Sequence, residues 1–256
     1  MENAIITRCL RLLGLALFGG ILAFGASAAA AETQVAVAAN FTEPAKAIAA
    51  AFKAQTGHTA VLSFSSSGQF YAQIAHGAPY EVFLSADAER PAKAEQDGLG
   101  VAGTRFTYAV GRLALYSKTP GLAEDAGAVL AGGKFNKLSI ADPTAAPYGA
   151  AAVQTLQKLG VYGAVKPKIV MGSSITQAYQ FVETGAAELG FVAYSQVINQ
   201  SGGSRWLVAD ADHAPIDQQA ILLGPGRNKP AAKAFLAFLK GPAATAIIKK
   251  YGYEVK

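Results

Sequence analysis

The sequence predicts an α/β protein of two lobes, each a mainly parallel sheet flanked by helices, joined by two crossover strands. Three observations point there. Short apolar strands alternate with helical patterns, four of the strand–helix junctions share one design, and two β-rich stretches, 106–117 and 218–223, fit poorly inside a single sheet. Strand–helix alternation with short turns argues for right-handed βαβ units on parallel sheets. The 106–117 stretch (FTYAVGRLALYS) is about twice a mean strand length, so we read it with 218–223 (QQAILL) as a pair of strands passing between lobes. The lobes are then expected at 33–112 plus 218–256, and at 113–217. One sheet with a long edge strand is the alternative the pattern leaves open.

The chain opens with an address. Arg8 and Arg11 flank the start of an apolar run, Leu12 to Phe24, and Ala-Ser-Ala-Ala-Ala-Ala follows at 26–31. This is the pattern of a secretory signal peptide, 1–31, with cleavage expected near Ala31. The apolar run is too short to span a bilayer comfortably. The single cysteine, Cys9, lies inside the expected signal peptide, so the exported chain is expected to lack disulfides, thiolate nucleophiles and cysteine metal sites.

Strand 34–39 leads to a helix over 42–56, where Phe41, Ala45, Ile48 and Phe52 share one face and Gly57 stops it. Strand 59–64 leads to a helix over 68–76 with Phe70 and Ile74 inward. Strand 81–85 follows, with Asp87 as cap of the next helix. In the second half, strand 138–141 precedes a helix at 149–159, strand 168–171 one at 174–184, and 189–193 is another strand. Two helices broken at Gly241-Pro242 fill 230–250.

The four junctions read VAVAANFTEP (35–44), VLSFSSSGQF (61–70), LSIADPTAAPYG (138–149) and IVMGSSITQA (169–178). Such a turn aims the free N–H groups of a helix N-terminus at whatever sits above the strand. None of the four contains Lys or Arg, so together they describe a cleft that holds an anion with neutral donors. Asn40, with Glu43 three residues on, either forms a capping box or donates to the cleft. Ser65-Ser66-Ser67-Gly68 is either an ordinary loop or a set of converging O–H and N–H donors. Pro147-Tyr148-Gly149 opens a helix whose Tyr148 N–H, or phenol, can face the cleft, and Ile175 after Ser173-Ser174 can donate only through its backbone. All four stand at carboxyl ends of strands, where open α/β sheets bind ligands.

Other chemistries find little support. The net charge is +5, with basic residues scattered and Lys249-Lys250 the longest run, so no nucleic-acid footprint is evident. There is no G-x-S-x-G elbow, phosphate loop, H-E-x-x-H or G-x-G-x-x-G. His58, His76 and His213 are far apart, and Asp210-Ala211-Asp212-His213 reads as a solvated turn. A serine nucleophile at 65–67 has no recognisable base.

Five segments carry a family resemblance: 38–58 (AANFTEPAKAIAAAFKAQTGH), 63–87 (SFSSSGQFYAQIAHGAPYEVFLSAD), 141–149 (ADPTAAPYG), 186–197 (AAELGFVAYSQV) and 239–255 (LKGPAATAIIKKYGYEV). They resemble the periplasmic molybdate-binding receptors of ABC transporters over nearly the whole exported chain. The resemblance implies the two-lobed periplasmic binding-protein fold (type II) and a non-enzymatic receptor. Its ligand would be molybdate or tungstate, held without a countercharge, and its partners a membrane permease and ATPase. It also implies a periplasmic monomer with no cofactor and no bare metal ion. The ligand contacts carry over to Asn40, Ser67, Tyr148 and Ile175. A fifth contact, a Tyr in some members, aligns with Ala193, and the neighbouring Tyr194 would point elsewhere on a strand. A receptor for another oxyanion such as sulfate, and an exported hydrolase using Ser67, are the competing readings.

Overall fold

The computed structural model describes residues 30–255; the expected signal peptide lies outside the described residues apart from its last two positions. The chain runs β1 (Glu32–Ala38), α1 (Thr42–Thr56), β2 (Thr59–Ser65), α2 (Ser67–Ala75), β3 (Val82–Leu84), α3 (Glu89–Gln96) and β4 (Phe106–Gly111). It then passes through β5 (Leu113–Ser117), α4 (Ala126–Gly132), β6 (Leu138–Ala141), α5 (Pro147–Lys158), α6 (Tyr162–Val165), β7 (Ile169–Gly172), α7 (Ile175–Glu183), β8 (Leu189–Ala193), α8 (Tyr194–Val197) and β9 (Ser204–Leu207). It returns through β10 (Ile216–Leu222), α9 (Pro230–Leu239) and α10 (Pro242–Lys250).

Two five-stranded sheets result, ordered β2-β1-β3-β10-β4 and β7-β6-β8-β5-β9. In each, the first three strands are parallel and the fourth runs against its neighbours on both sides. The expected 106–117 stretch divides at Arg112: β4 belongs to the first sheet and β5 to the second. The other link is 208–215, which delivers the chain into β10. Because the parallel strands are covered by helices on both faces, β1 ends in a continuous apolar run, Val35 to Ala38, with Val35, Ala36 and Val37 fully buried.

The helix-start readings need two corrections. A short 3₁₀ turn, Ala39–Phe41, intervenes before α1, so Phe41 occupies the cap position and no side chain caps the helix. The Asn40–Glu43 capping box does not form; Glu43 pairs instead with exposed Lys46 at 2.7 Å. Helix α5 starts two residues earlier than expected, with Pro147 in its first turn, where a missing N–H costs nothing and the fixed φ suits the helix. Elsewhere the apolar faces behave as read. Ala45, Ile48 and Phe52 are fully buried, the last two contributing roughly 1.5–3 kcal/mol each. Gly57 closes α1 at φ 75° and donates to the Lys53 carbonyl, a left-handed cap that favours glycine.

Candidate functional site

Each of the four junctions ends a strand and begins a helical turn. Ser66 and Ser174 cap α2 and α7, accepting from the Gln69 and Gln177 N–H groups at 3.4 and 3.3 Å. The residue after each cap, Ser67 or Ile175, therefore occupies the first helical position. Its N–H has no intrahelical acceptor and points out of the helix along the axis. Tyr148 holds the second position of α5 and Asn40 the middle of the 3₁₀ turn. The first turns thus present N–H groups together with the positive ends of their helix dipoles.

Asn40, Ser67, Tyr148 and Ile175 line one small cavity, the first two from the lobe of the first sheet and the last two from that of the second. All four are at most 3% exposed. The remaining wall is small or apolar, including Ala39, Ala86 and Ala146, and no Lys, Arg, His, Asp or Glu reaches it. The cavity is small, with about the room that one water molecule needs. Alanines from both lobes belong to one apolar cluster here, Ala38, Ala39 and Ala86 packing with Ala141 and Ala146.

Ser67 and Asn40 are held from behind. The Ser67 hydroxyl oxygen accepts the Ala86 N–H at 2.9 Å, so its proton is free to donate forward. The Asn40 carboxamide donates to Gln218 Oε1 at 2.8 Å and to the Tyr253 hydroxyl at 3.0 Å. The Asn40 backbone carbonyl accepts from the Tyr253 hydroxyl at 2.7 Å and the Ser195 hydroxyl at 3.0 Å. With those side-chain hydrogens engaged, the backbone N–H is what Asn40 has left to offer the cavity. The Tyr108 hydroxyl donates to the Ser85 carbonyl at 3.1 Å, and the Tyr148 phenol lies behind the cavity near Gln218 Nε2 at 3.5 Å. Burial pushes the Tyr108 and Tyr148 phenols well above their ordinary range and Tyr253 up to about 12, so this layer stays uncharged at neutral pH.

Sequence reasoning missed this supporting layer of Tyr108, Ser195, Gln218 and Tyr253. One clue existed: alternation along β10 puts Gln218 on the face of Ile216 and Ala220, and all three are buried. Neither Ala193 nor Tyr194 lines the cavity; Tyr194 lies under the Arg112 guanidinium, 5.6 Å from its ring centre. Ser67 has no basic partner: its oxygen is bonded to an amide N–H, and His58 instead accepts the Ala31 N–H. Among the described residues no group of three or more His, Cys, Asp or Glu could hold a metal. A larger hollow of about 440 Å³ lies between Asp87–Arg90, Pro143–Thr144 and Pro215–Asp217. Its carboxylates Asp87, Glu89 and Asp217 disfavour an anion there.

Comparison with known proteins places this geometry. The model for the family "Bacterial extracellular solute-binding protein" matches residues 33–254. The "Molybdate-binding protein ModA" of Rhodobacter capsulatus is 56% identical over 91% of this chain and 92% of its own. The protein of that name from Azotobacter vinelandii is 56% identical over 94% and 96%. Among solved structures, the Azotobacter vinelandii periplasmic molybdate-binding protein superposes with a TM-score of 0.85 at 42% identity, covering 88% of this chain and 99% of that one.

Proposed function

The chain belongs to the bacterial extracellular solute-binding proteins, and on that footing we propose that it captures molybdate between its two lobes and delivers it to the permease of an ABC transporter. Relatives at 56% identity named for molybdate binding support the ligand. The observation that carries the mechanism is a buried cavity lined from both lobes by hydrogen-bond donors and by no Lys, Arg, His, Asp or Glu.

A fully ionised tetrahedral dianion needs donors on every side and offers none. The N–H groups of Asn40, Ser67, Tyr148 and Ile175, with the Ser67 hydroxyl, meet that need in our assignment. Helix N-termini supply partial positive charge without a buried cation, so the anion is held yet can leave. Monohydrogen phosphate carries an O–H that finds no acceptor here, and an unpaired buried donor costs about 1–3 kcal/mol. Sulfate matches the charge and shape but is smaller, so cavity size must select against it; tungstate, close to molybdate in size, is taken as a second ligand.

The lobes we assign are 33–112 with 218–256, and 113–217. We further assign a monomer, exported to the periplasm after cleavage near Ala31, working as a receptor with membrane permease and ATPase partners. Calorimetric titration of the purified protein with molybdate, tungstate, sulfate and phosphate tests the reading. Tight binding of the first two with weak binding of the others supports it; equal affinity for sulfate and molybdate overturns selection by size.

A further inference from the structure

The two turns that face each other across the cavity also touch one another directly. The Gly68 N–H donates to the Ala145 carbonyl at 2.9 Å, tying the residue after Ser67 to the loop just before Pro147-Tyr148. A Cβ at Gly68 would stand 2.9 Å from Ala145 Cα, 3.0 Å from the Ala145 carbonyl oxygen and 3.1 Å from Arg90 Nη2. The backbone walls leave no room for even a methyl group. Arg90 completes the contact: its guanidinium pairs with Asp87, its N–H is held by Asp87 Oδ1 at 2.9 Å, and its Nη2 donates to the Thr144 carbonyl at 2.9 Å. The Gly68–Ala145 and Arg90–Thr144 bonds join opposite lobes, so these two exist only when the lobes are together.

We propose that Gly68 and Arg90 form a latch that holds the closed receptor shut and sets how long the anion stays. Both are positioning residues, since neither lines the cavity. The inference rests on the two-lobed receptor reading above. Gly68 sits in the first turn of α2 without a positive φ, and there alanine is the better helix former. Substituting it should therefore leave the free protein no less stable while obstructing closure. Asp87 pre-orients the Arg90 side chain, so its bond to Thr144 costs little further ordering.

The test compares wild type with Gly68→Ala, Arg90→Gln and Arg90→Lys in calorimetry, stopped-flow binding, melting and small-angle scattering, using molybdate as probe. We expect Gly68→Ala and Arg90→Gln to raise Kd by about tenfold or more, through faster dissociation with association unchanged. Arg90→Lys, which keeps the charge opposite Asp87, should fall between. Gly68→Ala without ligand should melt no lower than wild type. Unchanged dissociation in both Gly68→Ala and Arg90→Gln overturns the latch, as does a fall in free-protein melting that matches the loss of affinity. Should wild type ignore molybdate, the receptor reading fails and scattering of the free proteins decides the latch. A larger radius of gyration in Gly68→Ala than in wild type then supports it, and equal radii overturn it.

Discussion

The Ser67 hydroxyl oxygen accepts the Ala86 N–H at 2.9 Å, so one side of the serine is fixed by the end of β3 while its proton faces the cavity. The serine-rich run reads in sequence as a loop whose hydroxyl could be deleted at little cost to folding. In the fold Ser67 is 1% exposed and begins α2. Ser67→Ala is therefore expected to weaken molybdate binding by ~1.5–3 kcal/mol, the value of a hydrogen bond to a charged group. It should also lower stability by about 1 kcal/mol, because a buried N–H loses its acceptor. Calorimetry and chemical denaturation separate the two effects; normal affinity with reduced stability would make Ser67 a purely structural residue.

Asn40→Asp keeps the shape of the side chain and places a carboxylate against Gln218 Oε1, beside a dianion. Unit charges about 4 Å apart repel by about 4 kcal/mol at an effective dielectric of 20. Molybdate affinity is expected to fall by at least about 100-fold, with partial recovery as pH is lowered toward the carboxylate's titration. Titration at two pH values checks this, and full affinity at neutral pH would rule out a donor-only environment at position 40.

Binding should be nearly flat between about pH 6 and 9, because no group lining the cavity titrates there. Stability behaves differently in alkali. The Tyr253 phenol titrates at about 12 in the folded protein against 10.0 for the free group, and Tyr108 and Tyr148 are displaced in the same direction. A raised folded value means that the contribution is complete below about pH 10 and is lost as pH climbs toward 12. Melting temperature measured from pH 7 to 11 should therefore hold steady and then drop above about 10, and Tyr253→Phe should soften that drop. A steep loss of affinity between pH 6 and 9 would contradict the uncharged site.

Ligand that binds only the closed form stabilises it by mass action. Melting temperature should rise with the logarithm of molybdate concentration once that exceeds Kd, and the radius of gyration should shrink on saturation as the open–closed balance shifts. An unchanged radius, with a raised melting temperature, would mean that binding occurs without movement of the lobes.

What was legible in the sequence follows the range of the interactions involved. The apolar face Ala45-Ile48-Phe52, the stop at Gly57 and the four strand–helix junctions are local patterns of spacing and turn chemistry, and the fold keeps them. The split of 106–117 at Arg112 between two sheets was likewise visible as a strand too long for one. Asn40 marks the limit. Its neighbours suggested a capping box, yet its carboxamide is engaged by Gln218 and Tyr253, 178 and 213 residues away. Hydrogen bonds between side chains that distant leave no periodic trace. The approach of Gly68 to Ala145 is hidden for the same reason: a glycine after serines looks like a flexible loop until the opposite lobe is in place.

The most direct measurement is a crystal structure of the molybdate complex with anomalous scattering collected at the molybdenum edge. The account predicts a single strong peak between Asn40, Ser67, Tyr148 and Ile175, with molybdate oxygens within hydrogen-bond distance of N–H groups from both lobes and no Lys or Arg in contact. A peak in the acidic hollow beside Arg90, or one bound to residues of a single lobe, would contradict it.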